Sequence, residues 1–278
     1  MPLKALPRIL LAIAAATIAA CGGGGAAGLP SGDHIHSLGI TVDGDLLLGL
    51  HGGLYRSDDG TAWTLVALEG QDAMVIASAE LPMFVAGHEV FARSDDGGNT
   101  FDELRPADLP GLDIHAFAQA PADGRVIYAF VVGHGLFASA DAGERWESRA
   151  ELGIVPTDTF GLAVVGPDSD TLVLVGPESG VLRSEDGGRT FIQVLDVPAW
   201  AVAVDPSGPG TIWALTRSGL ARSDDDGLTW TAASTLEELD GQPLALAVGS
   251  GALWVATEEP RALYNSIDGT TWELVAGS

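Results

Sequence analysis

Residues 56–63 read RSDDGTAW, and the chain writes this segment five more times: RSDDGGNTF at 93–101, ASADAGERW at 138–146, RSEDGGRTF at 183–191, RSDDDGLTW at 222–230 and NSIDGTTW at 265–272. The serines Ser57, Ser94, Ser139, Ser184, Ser223 and Ser266 recur every 37 to 45 residues. That period is the length of one four-stranded propeller blade. Each copy has the chemistry of a tight hairpin turn. An Asp (Asp59, Asp96, Asp141, Asp186, Asp225 or Asp268) is placed to cap backbone amides, a glycine follows for a positive φ, and an aromatic closes the segment. The closing residues Trp63, Phe101, Trp146, Phe191, Trp230 and Trp272 are expected to be buried in the blades.

Two apolar runs precede each turn, such as TFGLAVV (159–165) then TLVLVG (171–176), or AWAVAV (199–204) then TIWALT (211–216). Such runs, nearly continuous in apolar residues, suit strands covered on both faces. Each unit thus supplies strands A and B, then C running into the turn, then D after it. Six units fill residues 33–278, which predicts an all-β, six-bladed β-propeller as a single domain.

The S-x-D-(G)-G-x-T-W pattern resembles the Asp-box, or BNR repeat, of sialidase-like and sortilin-like propellers. It looks like the bacterial secreted group often labelled glycosyl hydrolase, and more distantly like photosystem II assembly factor propellers. The first resemblance implies a glycan-binding or glycosidase-like protein, with Asp113 and Asp158 as acids. The last implies an assembly factor that binds a protein partner on its rim. Active sialidases use an arginine triad, an Asp acid and a Tyr–Glu pair. Here Tyr55 and Tyr264 adjoin the repeated turns, Tyr128 lies within a strand, and no Arg-Ile-Pro segment is present. The expectation is a protein that is not an enzyme.

The N-terminus has Lys4 and Arg8, an apolar run from Ile9 to Ala20, then Cys21 and a glycine-rich stretch. The run is too short to span a bilayer, so residues 1–20 read as a signal peptide. Small residues before a lone cysteine resemble a bacterial lipobox, with Cys21 lipidated and residues 21–32 a flexible tether. That implies an extracytoplasmic protein of the cell envelope, touching membrane only through its lipid. The chain has 38 acidic against 13 basic residues, a net charge of −25. Cleavage would remove its one lysine, Lys4, which argues against Schiff-base chemistry and against nucleic-acid or anionic-membrane binding through a basic patch. A monomer is expected.

All six histidines fall in the first half of the chain. Aligned on apolar cores, the A strands place His36 with Met74, His115, Phe160, Trp200 and Leu244. Two residues earlier, on the same side of the strand, stand His34, Asp72, Asp113, Asp158, Pro198 and Gln242. His51, His88 and His134 end B strands. Since the start of A and the end of B share one face, His34, His36, His51, His88, His115 and His134, with Met74, Asp72 and Asp113, are expected at one mouth of the channel, opposite the repeated turns. Pairs within a blade, His36 with His51 and His115 with His134, are expected to be neighbours. Imidazoles with carboxylates suit zinc, and the Met74 thioether tilts the expectation towards copper.

Overall fold

The computed structural model describes residues 28–31, 34–78, 80–208, 210–249 and 251–277. The expected signal peptide, Cys21 and most of the tether lie outside them. The described residues form six blades, each a four-stranded antiparallel sheet in sequential order, with no helix among them.

Blade 1 is β1 (Ile35–Ile40), β2 (Leu46–Leu50), β3 (Gly53–Ser57) and β4 (Thr64–Ala67). Blade 2 is β5 (Val75–Ala77), β6 (Met83–Gly87), β7 (Val90–Ser94) and β8 (Asp102–Glu103). Blade 3 is β9 (Ile114–Ala120), β10 (Asp123–Val131), β11 (Gly135–Ser139) and β12 (Glu147–Ala150). Blade 4 is β13 (Gly161–Val165), β14 (Thr171–Gly176), β15 (Gly180–Ser184) and β16 (Ile192–Leu195). Blade 5 is β17 (Ala199–Val204), β18 (Ile212–Thr216), β19 (Gly219–Ser223) and β20 (Thr231–Ser234). Blade 6 is β21 (Gln242–Gly249), β22 (Ala252–Glu258), β23 (Ala262–Ser266) and β24 (Glu273–Gly277).

The second strands carry the core. Every residue of β2, β6, β14 and β18 is buried, because each strand is covered by neighbouring blades on both faces. An apolar cluster fills each of the six junctions; Leu47, Leu54, Met83 and Val85 join blades 1 and 2. The ring closes in the same way, with Ile35, Leu38 and Leu48 of blade 1 against Ala245, Ala256 and Leu263 of blade 6. No strand is exchanged there. A polar clasp adds to this closure: Glu258 accepts from the Ile35 amide (2.7 Å) and from Arg261 (3.0 Å), and Arg261 also donates to the Pro30 carbonyl (2.6 Å).

The repeated turns share one bonding scheme. Each serine is buried, and its hydroxyl accepts the amide of the glycine that ends the tight part of the turn, as in Gly60 to Ser57 (2.8 Å) and Gly188 to Ser184 (3.0 Å). The Asp carboxylate then caps amides beyond, such as Thr100 on Asp96 (2.9 Å) and Thr190 on Asp186 (2.9 Å). Gly188 has φ +83° and lies so close to blade 3 that a Cβ would stand 2.3 Å from Leu136 Cδ2. Turns also latch blades together, through Arg56 to the Gly97 carbonyl (3.2 Å) and Arg183 to the Asp226 carbonyl (2.7 Å).

The closing aromatics depart from expectation. Of the six, only Trp146 is buried (5% exposed), and the others are half-buried. Each directly precedes the outermost strand of its blade, which has solvent on one side. Trp146 shares an apolar cluster with Leu109 and Leu112 of the connection between blades 2 and 3, and its amide donates to Asp108 of the same connection (2.9 Å).

Candidate metal centre at the channel mouth

The first strands line the channel, and their entry into it is shaped by bulges. In blade 1, Ile35 faces Leu50 and Ser37 faces Gly49, so His36 is the extra residue. Blade 3 repeats this at His115, blade 5 at Trp200 and blade 6 at Leu244. A bulge re-aims the unpaired side chain. With Met74 and Phe160, both just before a first strand, these residues line one cavity of about 210 Å³ at the mouth.

Blades 2 and 3 supply the tightest group of donors. His88 Nε2 lies 3.1 Å from His115 Nε2 and 3.4 Å from Asp113 Oδ1, and His115 Nε2 lies 3.2 Å from the same oxygen. Ligands at about 2.0–2.1 Å from a tetrahedral ion stand about 3.3 Å apart. These three atoms already have that spacing. The outer side is open, since His88 and Asp113 side chains are 49% and 42% exposed.

Asp72 positions this group from blade 2. Its Oδ2 is 2.7 Å from His88 Nδ1. An ionised carboxylate only accepts, so Nδ1 carries the proton and Nε2 of the neutral ring presents a lone pair. Carboxylates hold metal-binding imidazoles in this manner. On its other side Asp72 Oδ1 lies 3.2 Å from His36 Nε2, and His36 stacks on His51 with centroids 4.3 Å apart and planes at 9°. Burial pushes the His36 and His115 imidazoles below their ordinary pKa, against the pull of Asp72 and Asp113 respectively. The shift favours the neutral form of both rings.

The contacts leave polar atoms unsatisfied. Among the described residues, six buried side-chain N or O atoms have no hydrogen-bond partner, and three of them are His36 Nε2, Asp72 Oδ1 and Asp113 Oδ1. The approaches of 3.2 to 3.4 Å around them are thus close without hydrogen-bond geometry. Buried polar atoms are ordinarily paired, so such a concentration marks a place shaped for something further.

Other expected residues lie elsewhere. His134 does not meet His115; it is exposed, in the turn 132–134 between β10 and β11. His51 and His88 each directly follow their strand in turns of two residues, whereas this turn has three and His134 comes last. His115 is met by His88 of the neighbouring blade instead. His34 is exposed and pairs with Glu258 of blade 6 at 3.0 Å. Asp158 caps the turn between β14 and β15, accepting the amides of Glu178 (2.7 Å) and Ser179 (2.9 Å), so it does not face Asp113 as a paired acid. The Trp200 indole donates to the Pro243 carbonyl (3.1 Å).

Comparison with known proteins places the fold. No curated protein matches the sequence. Among solved structures, the GH74 xyloglucanase from Xanthomonas campestris is similar at 19% identity and a TM-score of 0.59, over 90% of this chain and 46% of that one. This chain therefore spans less than half of the xyloglucanase. YCF48 from Cyanidioschyzon merolae is similar at 16% identity and a TM-score of 0.55, over 90% of this chain and 87% of that one. YCF48 bound to a D1 peptide is similar at 20% identity and a TM-score of 0.55, over 90% and 84%. At these identities the likeness is one of fold, and fold does not carry function. Residues 24–190 match the family described as the DUF6242 beta propeller domain. By that match over more than half its length, the chain belongs to the DUF6242 beta-propeller family.

Proposed function

We propose that the protein is a non-enzymatic, transition-metal-binding propeller of the cell envelope. The observation that carries this is the group His88 Nε2, His115 Nε2 and Asp113 Oδ1, mutually spaced at 3.1 to 3.4 Å with one side open. Two imidazoles and a carboxylate suit zinc or copper. Met74, which lines the same cavity as His36 and His115, favours copper. Two sequence features support the envelope location: the short apolar leader and Cys21 after Ile18-Ala19-Ala20, where a lipid would anchor a monomer. The shared Ser–Gly and Asp–amide bonding of the six turns supports kinship with Asp-box propellers.

An ion that binds only the folded state stabilises it by about 2.7 kcal/mol at a hundredfold excess over Kd. Thermal melting at pH 7.5 with copper(I), copper(II) and zinc should show such a shift in the wild type and a smaller one in His88→Ala with His115→Ala. If none of the three ions moves the melting point of the wild type, the metal reading fails.

A second reading, a propeller that receives a peptide segment of a protein partner, has its own observation. Leu152, Ile154 and Phe160 are exposed on the connection between blades 3 and 4 at the histidine mouth, with Phe160 6.0 Å from the His115 ring. A YCF48 propeller of similar fold is bound to a D1 peptide.

A further inference from the structure

Asp72 has two oxygens that face different histidines, and this divides the mouth into two unlike halves. Oδ2 is committed to His88 Nδ1 at 2.7 Å, so it orients the first group and is no donor to it. Oδ1 has no hydrogen-bond partner and faces His36 Nε2, also without one, at 3.2 Å. The stacked His51 ring adds a third donor, and one atom from each of His36, His51 and Asp72 falls within 4.8 Å of the others. His36 and Asp72 are also better enclosed, at 18% and 11% exposure, than His88 at 49%.

We propose that the mouth takes two divalent ions: the first at His88, His115 and Asp113, the second at His36, His51 and Asp72. The proposal rests on the metal reading above and extends it. The two positions are linked through the Asp72–His88 contact. A cation on His88 Nε2 makes Nδ1–H a stronger donor to Asp72, which draws charge from the carboxylate that the second ion needs. Repulsion between the cations acts in the same direction, so the second ion binds more weakly while the first position is filled. Coupling between sites is reciprocal and commonly about fivefold or more.

Cobalt(II) is the probe, counted by equilibrium dialysis with elemental analysis and followed by its visible absorption. The wild type should bind two ions with distinct dissociation constants. His51→Ala, at an exposed position, should lose only the weaker ion. His115→Ala should lose the tighter ion and bind the remaining one about fivefold or more tightly than the wild type binds its second. Asp113→Ala replaces His115→Ala if that variant melts early. One ion in the wild type, unaffected by His51→Ala and lost in His115→Ala, overturns the second position and leaves the first standing. Two ions that both survive His51→Ala overturn the assignment of donors. No ion at all overturns the metal reading itself.

Discussion

Gly188 shows how much one residue of the repeated turn decides. Its positive φ costs any other residue about 1–3 kcal/mol, and a Cβ would meet Leu136 of the preceding blade at 2.3 Å, an overpacking that costs about as much again. Gly188→Ala should therefore lower stability by about 2 to 6 kcal/mol in urea unfolding, and a loss under about 1 kcal/mol would contradict this packing. The glycine was legible in the sequence as a turn residue. Its second task, admitting the neighbouring blade, was not, because it depends on how closely successive sheets approach. The histidines divide in the same way. His36 and His115 could be aligned from the apolar cores of their strands, but that His88 rather than His134 meets His115 follows from one extra residue in the turn 132–134. Asp72 could be placed on the right face, while its role between His36 and His88 comes from contacts between blades that a single strand pattern does not encode.

The turn as an element is held by charge as well as by shape. The Thr100 hydroxyl and amide hold the Asp96 carboxyl at about 2. At Asp186, burial acts in the opposite direction, yet the hydroxyl and amide of Thr190 overcome it and leave that carboxyl at about 2 as well. Asp59 is lowered chiefly by the Thr61 amide, Asp141 by the Arg145 amide and Asp225 by the Thr229 hydroxyl. A carboxyl whose folded pKa lies below its unfolded value near 3.9 contributes its full stability above that value and loses it as pH falls through the folded one. The melting temperature should hence fall between about pH 4 and pH 2, and Asp96→Asn should flatten that dependence relative to the wild type. An unchanged slope in the variant would show that this cap carries no linkage. The six elements were legible as a set because each turn needs the same few residue types. The exposure of their closing aromatics was not, since it depends on whether a connection such as residues 104–113 folds over the outer strand.

At the scale of the whole molecule, the repeat length gave six blades and their strand order, whereas the means of closing the ring lay in contacts between distant residues. Glu258 and Ile35 are 223 positions apart and joined at 2.7 Å. Glu258→Ala removes the acceptor shared by Ile35 and Arg261, together with the partner of His34. Hydrogen bonds to a charged group are worth about 1.5–3 kcal/mol, so amide exchange should quicken in β1 and β22 before other strands. Equal acceleration in all six blades would mean that the clasp acts on global stability alone. Connectivity makes this junction different in kind. The backbone crosses from one blade to the next five times, and at those places a covalent tether runs beside the apolar contacts. Between blades 6 and 1 side chains act without one. A force applied between residues 34 and 277 would load that seam directly and leave the other five slack, peeling the ring open from a point chosen by its wiring.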